Sequence, residues 1–114
     1  MEAAAIAAAE EWLALVDAGS FLKSWTQAAE YFKNAVPKDQ WEQSLKAVRA
    51  PLGKLVSREV QNAMFRKTLP GAPDGEYVVI RFLSAFENKA FAIETVTPMM
   101  EVDGEWRVSG YYVK

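Results

Sequence analysis

The feature that most constrains this chain is a change of hydrophobic period at Gly53. Before it, apolar residues recur every three or four positions; beyond it they recur every second position, and β-branched and aromatic residues take over. Helices therefore come first and strands second, which predicts an α+β domain rather than an alternating α/β one. At 114 residues the chain fits a single domain, 1–114, with a helical half (1–53) and a sheet half (54–114). A globular chain of this size buries roughly two thirds of the surface its unfolded form exposes, so one core is expected.

Three helices are predicted. Ile6, Ala9, Leu13 and Val16 form the first apolar stripe, broadened by Trp12 and Leu15, with Glu10, Glu11 and Asp17 on the other side. Gly19 is a left-handed stop and Ser20 a cap for the next helix. That second helix carries Phe21, Trp25, Ala28 and Phe32 and ends before Pro37. The third starts at Pro37, whose missing N–H costs nothing in a first turn, and carries Trp41, Leu45, Val48 and Leu52. Its end is set by Pro51 and Gly53.

Four strands follow, at Leu55 to Leu69, Glu76 to Phe86, Ala90 to Val102 and Glu105 to Val113. The stretch from Leu69 to Gly75 is a Pro/Gly-rich loop, Glu87-Asn88 a tight hairpin turn, and Asp103-Gly104 has the composition of a type I′ turn. Consecutive hairpins make a four-stranded antiparallel meander, curved, with the three helices packed on one face. A two-residue turn at Glu87-Asn88 sets Phe86 opposite Lys89, Leu83 opposite Ala92, Arg81 opposite Glu94 and Val79 opposite Val96. On that register Val78, Ile80, Phe82, Ile93, Thr95 and Thr97, with Met99, Val108, Gly110 and Tyr112, face the helices. Pro98 cannot donate to a ladder, so a bulge is expected there.

The absence of histidine and cysteine removes Ser-His-Asp and Cys-His sites, disulfides, and His- or thiolate-ligated metals. Asp74 and Asp103 stand in turns without other ligands at metal spacing, and Gly71 and Gly75 lack the Lys-Ser/Thr of a phosphate loop, so no metal and no cofactor is expected. Neither half is a basic arm, which argues against nucleic acid. The apolar opening from Met1 to Ala9 has no basic flank and is cut short by Glu10-Glu11, so it reads neither as a signal peptide nor as a membrane span.

Several segments resemble one bacterial family. Leu69-Pro70-Gly71-Ala72-Pro73-Asp74-Gly75-Glu76-Tyr77, Asn88-Lys89, Glu94-Thr95-Val96-Thr97 and Gly104-Glu105-Trp106-Arg107-Val108-Ser109-Gly110-Tyr111-Tyr112 are similar to the domain of unknown function 4019 family. The likeness extends upstream through Trp12 to Asp17, Ser24-Trp25, Trp41, and Arg49-Ala50-Pro51-Leu52-Gly53 to Arg58, nearly the whole chain. The resemblance implies a nuclear transport factor 2-like (cystatin-like) cone and a periplasmic or secreted setting. It implies no activity.

A cone leaves a hollow between helices and sheet. Trp25, Trp41, Phe82, Trp106 and Tyr112 are the candidates to line it around a small apolar ligand, although stripe residues such as Trp25 and Trp41 are also what a core needs. Glu94, among apolar neighbours, is the candidate general base of a cofactor-free isomerase or dehydratase; the simpler reading pairs it with Arg81 as a structural ion pair. Tyr77, Val79, Leu83, Val96 and Tyr111 make the outer face too apolar for solvent, which suits a homodimer interface. The favoured function is a non-catalytic small-ligand-binding or dimeric interaction module.

Overall fold

The computed structural model describes residues 2–114 and has the predicted architecture, helices against one face of an open, four-stranded antiparallel sheet. Four helices precede it: α1 (Glu2–Asp17), α2 (Phe21–Thr26), α3 (Glu30–Ala35) and α4 (Lys38–Arg49), the last continued by a 3₁₀ turn over Ala50–Leu52. The strands are β1 (Leu55–Arg66), β2 (Tyr77–Phe86), β3 (Lys89–Met100) and β4 (Trp106–Val113), in the order β1-β2-β3-β4.

The second predicted helix is two helices. Its break falls at Gln27–Ala29, where Ala29 is extended and its N–H donates to the Val108 carbonyl of β4 at 2.8 Å. Ala28 and Ala29 are both fully buried, so the chain gives up helical bonds here to dock its backbone on the sheet. Pro37 caps α4 rather than starting it, in an extended conformation that suits the residue before a helix.

The helix α1 lies directly on the sheet and touches all four strands, while α4 packs on α2 and α3 on β4. Ala5, Ala9, Trp12, Leu13 and Val16 form its buried side. They meet Phe32, Trp41 and Leu45 from the other helices and Val78, Ile80, Phe82, Val96 and Val108 from the sheet. Burying each such large side chain is worth roughly 1.5–3 kcal/mol. The polar centre of this packing is Ser24: its carbonyl accepts Trp12 Nε1–H at 2.8 Å, its Oγ accepts Trp41 Nε1–H at 3.1 Å, and the same Oγ donates to Phe21 O at 2.6 Å.

Gly53 carries the chain from helices to sheet at φ +75, and a Cβ there would sit 3.0 Å from Glu87 Cβ and Asn88 Nδ2. The crowding arises because the β2–β3 turn is clamped onto this connection: Glu87 N–H donates to Lys54 O, Asn88 N–H to Leu52 O, and Lys54 N–H to Glu87 Oε1.

The register departs from expectation by one residue. Phe86 does face Lys89, but an irregularity between Ser84 and Phe86 slips the rest, so that Ser84 faces Ala92, Leu83 faces Ile93, Phe82 faces Glu94, Arg81 faces Thr95 and Ile80 faces Val96. A one-residue slip exchanges the faces of a strand. Ala92, Glu94 and Val96 thus join the helix side, and Ile93 and Thr95 turn outward. The expected irregularity at Pro98 is present, between Val96 and Pro98; it sets Val96 opposite Tyr111 and Thr95 opposite Tyr112. Tyr111 consequently packs inward, its ring centroid 5.4 Å from that of Trp12, and Tyr112 points outward, 52% exposed.

Candidate functional site

The strongest concentration of chemistry lies at one end of the helix–sheet interface. Glu94 is 0% exposed there and does not pair with Arg81, because the slip in register puts the two on opposite faces. Its Oε1 instead accepts Arg58 Nε–H at 2.7 Å and the Ser84 hydroxyl at 2.6 Å, and its Oε2 accepts the Tyr111 hydroxyl. The remaining arms of the Arg58 guanidinium grip Asp17, Nη1 to Oδ2 at 2.7 Å and Nη2 to Oδ1 at 3.0 Å. Asp17 Oδ1 takes a third bond, from Arg49 Nη2 at 2.9 Å. The chain Tyr111–Glu94–Arg58–Asp17–Arg49 ties β4, β3 and β1 to the last residues of α1 and α4.

Two arginines and two acidic side chains meet in this network. Burial would raise the Asp17 pKa, but the hydrogen bonds and charges of Arg58 and then Arg49 outweigh it and leave the carboxyl below its ordinary value. Burial likewise works against the Arg58 cation and is outweighed by Asp17 and Glu94, so its pKa rises. Tyr111 is pushed well above the ordinary tyrosine value by burial first and by the Glu94 charge second. Its hydroxyl stays protonated and donating at neutral pH. With three donors on its two oxygens and no exposed surface, Glu94 has the geometry of a structural carboxylate and lacks the access a general base needs.

The sequence pointed to Glu94 but missed Asp17, Arg49, Ser84 and the inward turn of Tyr111. One signal was readable: Trp41, Leu45 and Arg49 follow each other at intervals of four, placing an arginine on the buried row of α4. Among the described residues there is no group of three or more carboxylates arranged to hold a metal ion, and no helix long and apolar enough to cross a membrane.

The aromatic candidates do not share a cavity. Trp41 and Phe82 belong to the core, Trp41 edge-on to Phe32 at 4.8 Å. Trp25 is half-buried on the helix side, donating from Nε1 to Val36 O at 2.7 Å. Trp106 lies in a groove of about 370 Å³ beside Trp12 and Gln27. Only Trp41 and Tyr112 meet, at a hollow of about 150 Å³ between α4 and β4.

The five residues assigned to the dimer face separate as well. Val79 and Leu83 lie on the outward side, half-buried. Tyr77 is fully buried under the β1–β2 loop, with its hydroxyl donating to Pro73 O at 2.6 Å. Val96 and Tyr111 are on the helix side. What the outward face gains is Ile93 beside Leu83, and Phe91, 81% exposed at one wall of a groove of about 300 Å³ floored by Leu83 and Ala85.

Over residues 8–111 the chain matches the family described as protein of unknown function DUF4019. The chain belongs to that family. DUF4019 membership agrees with the segments that suggested it in the sequence, and no curated protein and no solved structure matches the chain.

Proposed function

We propose that this DUF4019 domain is a non-catalytic interaction module that pairs two copies of itself through the uncovered face of its sheet. The observation that carries this reading is Phe91, a large apolar side chain 81% exposed beside a groove of about 300 Å³ in which Leu83, Ala85 and Ala90 are joined by Ser57 and Glu59. A two-fold axis needs one surface that holds both a projection and the recess that receives it. Phe91 and the Leu83–Ala85 groove are such a pair, and Val79 and Ile93 extend the apolar surface around them. From ordinary strand rise and spacing, a face four strands wide and ten residues long covers on the order of 600 Å² in projection. Side-chain relief adds to that, which brings it near the roughly 800 Å² per partner of a standard interface.

Saturation of Glu94 supports a module without catalysis over the isomerase-like alternative. The order of helices then sheet supports grouping the domain with cystatin-like cones, and the family likeness supports a periplasmic or secreted setting. Sedimentation velocity from micromolar to submillimolar protein tests the pairing. The wild type is expected to sediment as a dimer and Phe91→Glu as a monomer with an unchanged melting temperature. A monomeric wild type at the highest concentration, or a dimeric Phe91→Glu, overturns it.

A further inference from the structure

A second region of the molecule, away from the sheet's outer face, has the make-up of a ligand site. An open groove of about 690 Å³ runs between the end of α1, the end of α4 and the start of β1. Arg49, Lys46 and Lys54 line it on the cationic side, Val16, Phe21 and Leu55 on the apolar side. Its two carboxylates are already engaged, Asp17 by Arg49 and Arg58 and Glu87 by the Lys54 N–H. Among the described residues neither Lys46 nor Lys54 makes an ion pair.

Arg49 is the unusual member. Its side chain is 7% exposed and its guanidinium lies 4.9 Å from the centre of the Phe86 ring. Only Nη2 has an acceptor; Nε and Nη1 are buried with none. Buried donors of a charged group are costly to leave without an acceptor, and native proteins rarely do so. Asp17, its one carboxylate partner, already accepts from three nitrogens and reaches only Nη2.

We propose that this groove binds a small organic acid with an apolar body, its carboxylate neutralised by Arg49 with Lys46 and Lys54 and its body against Phe21, Val16 and Leu55. Charge complementarity selects the anion: Lys46, Arg49 and Lys54 outnumber the two carboxylates of the groove, Asp17 and Glu87, and a guanidinium favours carboxylate geometry. The bare nitrogens are covered in the structure, so the acid engages them as the guanidinium tilts on the Phe86 ring.

The test uses benzoate as the probe and benzyl alcohol as its uncharged counterpart, followed by proton–nitrogen correlation spectra that include the arginine Nε–H signals. Benzoate is expected to saturate, moving the Arg49 Nε–H signal together with amides of Gly19, Phe21 and Gly53, while benzyl alcohol moves none of them. The double variant Lys46→Gln/Lys54→Gln, altered only at exposed side chains, is expected to keep its fold and bind benzoate at least fivefold more weakly. The proposal is overturned if benzoate leaves the Arg49 signal in place, if benzyl alcohol binds equally, or if the double variant binds as the wild type does.

Discussion

Arg58 and Glu94 meet at 2.7 Å although their strands, β1 and β3, are not neighbours; the guanidinium crosses β2 beneath the helices and passes Ser84 on the way. The arginine side chain is 12% exposed and the glutamate not at all, and while Arg58 is also held by Asp17, Arg58 is the one cation that Glu94 meets.

Removing one partner is therefore worse than removing both. Arg58→Met is expected to destabilise the fold by roughly 3–5 kcal/mol, because it leaves Glu94 buried without a cation. The double variant Glu94→Leu/Arg58→Met should lose less than the sum of the single losses, with Asp17 still held by Arg49. Urea denaturation of the four proteins measures the coupling, and strictly additive losses would contradict it.

Asp17 makes stability depend on acid. Its folded pKa lies below its unfolded value, so its contribution is complete above the ordinary aspartate value of about 3.9 and disappears as pH falls through the depressed folded value. Asp17→Asn should be the less stable protein at neutral pH and show the flatter decline from about pH 5 to about pH 2. Parallel declines for the two proteins would remove Asp17 from the account.

Tyr111 makes the opposite contribution at alkaline pH. A pKa raised on folding gives stability that is complete below the unfolded value of about 10 and is lost as pH climbs towards the folded one. Tyr77 is shifted in the same direction by its own burial, so Tyr111→Phe should reduce the alkaline loss without abolishing it. At neutral pH the same variant should cost about 1–3 kcal/mol, since Glu94 Oε2 loses its donor in a site closed to water. An unchanged alkaline slope would show that Tyr111 ionises freely.

The two left-handed glycines of the helical half should separate by crowding. Gly19→Ala adds a Cβ into open space and carries only the conformational penalty, about 1 kcal/mol. Gly53→Ala adds one 3.0 Å from the Glu87 and Asn88 side chains and should cost more, about 2–3 kcal/mol. Thermal denaturation of both variants checks the order, and equal losses would mean that the turn yields.

The fold was legible because its signals are local. A period change at Gly53, a Pro/Gly-rich loop before Tyr77 and a proline in β3 each act within a few residues, and each appears where the sequence placed it; the chain also turns at Asp103-Gly104, but with Gly104 alone at positive φ the turn is not the type I′ expected. The buried network was illegible because it depends on one residue of register. A two-residue turn at Glu87-Asn88 was right, yet the irregularity between Ser84 and Phe86 moved Glu94 to the other face and handed it to an arginine 36 residues away instead of the one predicted opposite. The helix break at Gln27–Ala29 was hidden for a similar reason. Nothing in that segment stops a helix; a carbonyl on β4 does.

Because α1 rests on all four strands, its sixteen residues, made before any of them, have nowhere to settle until β4 has been made. During synthesis Trp12, Leu13 and Val16 wait beside an unfinished sheet, and the docking site for Ala29 appears only with Val108. A ribosome paused before Trp106 holds a chain whose apolar helices are open to chaperones and proteases alike, and the emergence of β4 closes that window.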